Sequence, residues 1–217
     1  MALSKVVNNS IESVDAAKLT GTLPAISGAN LTNMAGGGAT ALIARNTFTG
    51  ASTVEITSGF DGSVYDSYRL IIRSTLAAAG NMLAMRTSSN GGSSFDSGGA
   101  DYKNSYWASN NAGGDGGGVG SGSNRLSLHS GNLDSDLGAN LVADVFMPQI
   151  HESGKYAVFF VKSFQYLDTG NASVGAVRMN TWSNVRESTS TVNALQLFNF
   201  GSTTHTGSYQ FIGYKKA

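Results

Sequence analysis

The chain has 217 residues with 14 basic and 14 acidic side chains, and this zero formal net charge offers no electrostatic footprint to nucleic acid or to an anionic membrane surface. Charged residues make up 13% of the sequence against roughly 25% in an average domain, and 28 glycines are about twice the usual share, so the expected surface is built from Ser, Thr, Asn and Gly. Cysteine is absent, which excludes a disulfide framework, a thiolate zinc site and a cysteine nucleophile.

At the N-terminus, MALSKVVNN lacks the charged start and apolar run of a signal peptide, and no stretch approaches the roughly 20 apolar residues of a membrane helix. The expectation is a soluble product made without export and without membrane insertion. Residues 1–41 read as an extended attachment and oligomerisation segment and residues 42–217 as one β-domain. Within the first, residues 17–33 (AKLTGTLPAISGANLTN) space Leu19, Leu23, Ile26 and Leu31 without a helical or strand period, punctuated by Gly21, Pro24 and Gly28. Pro24 fixes its own φ and biases Leu23 towards extended backbone. The reading is a non-helical strip that buries its leucines against a copy of itself or against a particle. The glycines of AGGGAT, residues 35–40, then form a flexible joint.

From Leu42 onward, short strands alternate with glycine and polar turns. Alternation of apolar and polar side chains is clearest in Tyr68–Arg73, Arg125–His129 and Leu141–Phe146, each fitting a strand with one face in a core. Tyr156–Val161 is apolar at both parities and reads as a central strand buried from two sides or as one lying at a subunit interface. With Thr53–Thr57, Met82–Thr87, Val174–Trp182, Ala194–Phe200 and Tyr209–Tyr214, the chain offers roughly nine strands. That spacing predicts an all-β, antiparallel β-sandwich of jelly-roll type. The run from Gly113 to Gly122 lacks the strand, helix and lysine of a phosphate-binding loop and reads as a long surface loop.

Among groups able to do chemistry, His129, His151 and His205 sit in no metal-ligand spacing, and His129 is expected to point away from its neighbouring leucines. No G-x-S-x-G turn precedes a helix. Asp134 with Asp136, and Asp96 with Asp101, are carboxylates of the kind that a cation or a glycosidic bond would use, although their Gly/Asn-rich setting reads first as turns. No catalytic residue, metal site or cofactor is predicted. The aromatic residues Tyr102, Tyr106, Trp107 and Trp182 lie beside Asn, Asp and Ser, a combination that stacks on sugar faces and bonds hydroxyls. They are the candidates for glycan or receptor binding, and the two tryptophans equally fit core plugs or subunit-interface anchors.

Two stretches carry a resemblance. AKLTGTLPAISGANLTN resembles the L-T-G-x-L-P-A-x-x-G-x-x-L-T segment of bacteriophage tail fibres and related virion appendage proteins. Tyr65–Ile72, Leu83–Gly98 and Tyr102, closing with Gly207–Lys215, are similar to a β-sandwich module of phage structural proteins. The resemblance implies a non-enzymatic virion protein, commonly a homotrimer. Its N-terminal segment would bind other virion proteins, and its sandwich would meet a host cell-surface glycan or receptor. Such a protein is assembled in the host cytoplasm and exposed on the particle. The short chain leaves a second reading beside the tail fibre: a head fibre or a decoration (cement) protein that stabilises the particle.

Overall fold

The computed structural model describes residues 39–77, 82–110, 115–129, 141–148, 150–167, 176–201 and 203–216. Among these every regular element is a strand: β1 (Thr40–Ala51), β2 (Thr53–Ile56), β3 (Tyr65–Leu76), β4 (Met82–Ser88), β5 (Tyr102–Asn110), β6 (Gly116–Ser123), β7 (Leu126–Ser127), β8 (Leu141–Met147), β9 (Val158–Leu167), β10 (Ala176–Arg186), β11 (Ala194–Phe200) and β12 (His205–Lys215). They form an eight-stranded sheet in the order β1-β12-β3-β8-β9-β10-β5-β6 and a four-stranded sheet in the order β2-β11-β4-β7. All pairings are antiparallel.

Setting aside the hairpins β5-β6 and β9-β10, the large sheet reads β1-β12-β3-β8 against β2-β11-β4-β7 in the small one. This is the double Greek key of a jelly roll. The two hairpins are insertions, and both add to the large sheet on the β8 side. The predicted sandwich is therefore present, with its larger sheet doubled in width.

Period-two patterning explains the packing. In β3, Tyr68, Leu70, Ile72, Ser74 and Leu76 face inward while Arg69, Ile71 and Arg73 face outward, and β8 alternates likewise. The core joins Leu70, Ile72, Val145, Phe159, Val161 and Phe211 of the large sheet to Ile56, Leu83, Met85, Leu126, Leu195 and Leu197 of the small one. Tyr68 stacks on Phe211 with ring centroids 5.2 Å apart. Where the inserted strands outrun the small sheet, their inner side chains are polar and satisfy one another. Asn180 Nδ2 donates to Ser163 Oγ (3.3 Å) and to Gln165 Oε1 (3.1 Å). The Asn184 carboxamide replaces a missing strand beside β7, accepting the Ser127 N–H (3.0 Å) and donating to the Ser127 carbonyl (3.2 Å).

The glycine run corrects the sequence reading: Gly116–Ser123 is a strand at the edge of the large sheet, not a loop. Its glycines make room for the large side chains of β5. A Cβ on Gly118 would meet the Tyr106 ring at 2.7 Å, and one on Gly117 would lie 3.1 Å from the Trp107 indole and 2.8 Å from the Tyr106 carbonyl oxygen. Aromatic rings lying across edge glycines stabilise strands that lack side chains of their own.

Gly207 of β12 is constrained by backbone instead, since a Cβ there would sit 2.0 Å from the Arg73 carbonyl oxygen of β3. Gly207→Ala must push two hydrogen-bonded core strands apart, and it is expected to cost about 1–3 kcal/mol, read as a lowered urea midpoint. An unchanged midpoint would mean that β3 and β12 separate there without penalty.

Candidate functional site

The outer face of the large sheet is the most distinctive surface of the domain. Strand register places Asp144, Lys162, Thr181 and Trp107 side by side across β8, β9, β10 and β5. The row above holds Phe146, Phe160 and Ser183, and the row below holds Val142, Phe164 and Met179. A polar stripe is thus framed by apolar rows. Trp107 is 60% exposed, its indole resting on Gly117. A groove of about 510 Å³ runs between Trp107, Thr181, Lys162, Phe164 and Met179. A second, of about 340 Å³, lies between Arg69, Phe146, Phe160 and Tyr214. Arg69 holds Asp144 through Nε at 2.8 Å and Nη2 at 2.5 Å, and that carboxylate raises the guanidinium pKa above its ordinary value. The small sheet treats its own outer rings differently, laying the Arg86 guanidinium 4.1 Å over Phe198 and that of Arg125 3.8 Å over Phe200.

The sequence candidates divide. Trp107 alone of the four aromatic residues is broadly presented to solvent. Tyr102 and Trp182 are buried, which corrects their reading as surface contacts. Both fall at inward parity on their strands, and Trp182 lies within β10 instead of ending a strand. Tyr106, half-buried, stacks on Trp182 with centroids 4.5 Å apart. The Tyr102 hydroxyl accepts the Thr87 N–H at 2.9 Å and donates to the Asp96 carbonyl oxygen at 3.2 Å, and burial pushes its pKa up to about 12. Leu19, Leu23, Ile26 and Leu31 lie outside the described residues, as do Asp134 and Asp136.

Asp96 and Asp101 have structural partners. Arg186 Nε and Thr87 Oγ1 both donate to Asp96 Oδ2, each at 2.6 Å. Asp101 Oδ2 accepts the Gly98 N–H at 2.5 Å and closes a turn. Among the described residues no three His, Cys, Asp or Glu side chains gather as metal ligands would. His129, expected to point away from its neighbouring leucines, is buried with them, and its Nε2 accepts the Leu83 N–H at 2.9 Å. The chain turns after β7, so the alternation of Arg125–His129 does not continue as a strand to its end.

The outer face itself was visible in sequence only through Trp107 and Tyr156–Val161. Burial from both sides does not hold within one chain: Phe159 and Val161 enter the core, while Tyr156 and Phe160 are open. A polar cleft of about 420 Å³ lies at the end of the sandwich where the described chain begins, lined by Phe60, Tyr65, Asp66, His151, Glu152, Asn193 and Lys216. His151 Nε2 pairs with the Tyr68 hydroxyl at 2.6 Å, and burial lowers the imidazole pKa. The chain matches no family model, no curated protein and no solved structure.

Proposed function

We propose that this chain is a structural protein of a bacteriophage virion, a tail-fibre-like homo-oligomer that works by making contacts and not by catalysis. Its N-terminal segment holds the particle, and its jelly roll is displayed to a host-surface glycan or receptor. The observation that carries this reading is the broad outer face of the large sheet, where aromatic and apolar side chains lie open around a short polar row. Exposed apolar surface on that scale marks a place where another molecule sits. The likeness of residues 17–33 to tail-fibre segments supplies the virion context. The zero net charge suits a surface that must not adhere to unrelated polymers.

Particles carrying the chain without residues 42–217 test the proposal. They are expected to assemble normally and to lose adsorption to host cells. Particles that adsorb normally but disrupt more easily on heating favour the second reading, a head fibre or decoration protein whose apolar face is laid on the capsid. Particles unchanged in both respects overturn the virion assignment.

A further inference from the structure

We infer that Arg86 and Arg125, side by side on the outer face of the small sheet, form a binding site for a phosphate group, free or carried on a saccharide. In β4 and β7, Ala84 pairs with Ser127 and Met85 with Leu126, and the same register carried one position further sets Arg86 opposite Arg125. Met85 and Leu126 enter the core, so the two arginines project outward. Directly opposed residues of an antiparallel pair have Cβ atoms about 5 Å apart, and like charges placed there destabilise the sheet unless something neutralises them.

Among the described residues Arg69, Lys103 and Arg186 each meet a carboxylate, and neither Arg86 nor Arg125 does. The acid in their row, Glu55, stands two strands from Arg86 across Gln196, about 10 Å away at the usual strand spacing. It is also engaged, because Gln196 Nε2 donates to Glu55 Oε1 at 3.0 Å. Arg125 Nε is buried with no acceptor, and burial together with the Arg86 charge lowers the Arg125 pKa, as for a cation held without a counter-charge.

Both guanidiniums are nonetheless held in place. Arg86 lies 4.1 Å over the Phe198 ring and Arg125 lies 3.8 Å over that of Phe200. Both also hold Asn124, Arg86 Nε donating to its carbonyl oxygen at 3.1 Å and Arg125 Nη1 to its Oδ1 at 3.0 Å. These contacts use neither Nη of Arg86 nor Nη2 of Arg125. Cations ordered in advance lose little side-chain freedom when an anion arrives. A phosphate monoester answers the pair better than a carboxylate, because it brings roughly −1.5 to −2 charges at neutral pH to two guanidiniums and offers three acceptor oxygens to their donors.

Titrating inorganic phosphate into the full chain at neutral pH, with chloride keeping the ionic strength constant, tests the site through the arginine Nε–H signals in nuclear magnetic resonance of isotope-labelled protein. The Arg86 and Arg125 signals are expected to shift together and saturate, while those of Arg45 and Arg73, exposed on the large sheet, move little. Arg86→Gln should weaken the Arg125 response about tenfold, as for the loss of a charge-assisted hydrogen bond. Arg86→Lys, which keeps the charge and the stem but loses the planar fork, should weaken it less and serves where the glutamine variant does not fold, as near-ultraviolet circular dichroism will show. Four arginine signals that shift alike overturn the inference, as does an Arg125 response unchanged by either substitution. Glucose 6-phosphate sorts the source of the group: matching shifts mean that the site accepts phosphate on a saccharide, and shifts with inorganic phosphate alone mean that it takes the free ion, so that either result supports the site. Equal shifts with glucose overturn the phosphate assignment. The inference stands apart from the outer face of the large sheet and from the virion assignment, whose failure is read in particle adsorption and heat stability.

Discussion

Asp96→Ala is expected to cost about 3–5 kcal/mol, more than removing the arginine that it meets, because the two charges are unequally buried. The Arg186 side chain is 2% exposed while that of Asp96 is 27% exposed, and they meet at 2.6 Å. Deleting the carboxylate strands a guanidinium in the protein interior, whereas Arg186→Met leaves a carboxylate that water can reach. The latter variant should lose roughly 1–3 kcal/mol, the share of its hydrogen bonds to Asp96 and to the Ser190 carbonyl oxygen. The double variant should be more stable than Asp96→Ala alone. Urea unfolding of the three variants checks the order, and equal losses in the two single variants would refute it. The pair is worth this much because it closes the β4–β5 connection: Asp96 also accepts a hydrogen bond from the Thr87 hydroxyl, and Thr87 in turn donates its N–H to the Tyr102 hydroxyl.

Lowering the pH should remove about 2–3 kcal/mol of stability through one imidazole, the buried His205, whose pKa falls from 6.5 to about 4 because burial penalises its charged form. The unfolded chain takes up this proton near 6.5 and the folded chain only near 4. Within that window the unfolded state binds more protons, so stability declines as pH falls through it and levels off on either side. The ring packs against Phe48 at 4.8 Å and lies 3.4 Å from Ser74 Oγ, contacts that fix it between β1 and β3. His205→Gln cannot titrate, and subtracting its pH profile from the parent profile isolates this contribution from that of the acidic groups. A difference that stays flat between pH 6.5 and 4 would rule it out.

The fold was legible wherever one face of a strand enters the core. β3 and β8 alternate apolar with polar residues, and their outward Arg69, Arg73 and Asp144 mark the period plainly. The strands that escaped notice have no such contrast. β1 is an edge strand with register shifts after Leu42 and Phe48 that break its alternation, and it starts at Thr40, inside the glycine joint predicted from composition. β6 is nearly all glycine and has no pattern to read, since its packing is supplied by the Tyr106 and Trp107 rings of β5. β5 itself places Asn104 among its inward Tyr102, Tyr106 and Ala108 and places Trp107 among its outward Lys103, Ser105 and Ser109, which blurs the alternation on both faces. The candidate site was legible in part. Composition pointed to Trp107, but no single strand discloses that Val142, Phe146, Phe164 and Met179 share its face; that requires the order in which β8, β9, β10 and β5 lie.

The pairing of β1 with β12 has a mechanical meaning. Lys215 donates its N–H to the Ala39 carbonyl oxygen at 2.8 Å, so residues 39 and 215 leave the sheet at the same end. Tension applied between these two points would peel the edge strand away one hydrogen bond at a time, starting at the Thr40 and Tyr214 pair. Tension between residue 39 and the opposite end of the sandwich would instead load the whole ladder from Thr40 to Ala51 in shear, where many bonds must give together. A domain tethered through residue 39 and gripped at its far end is thus pulled along its resistant direction.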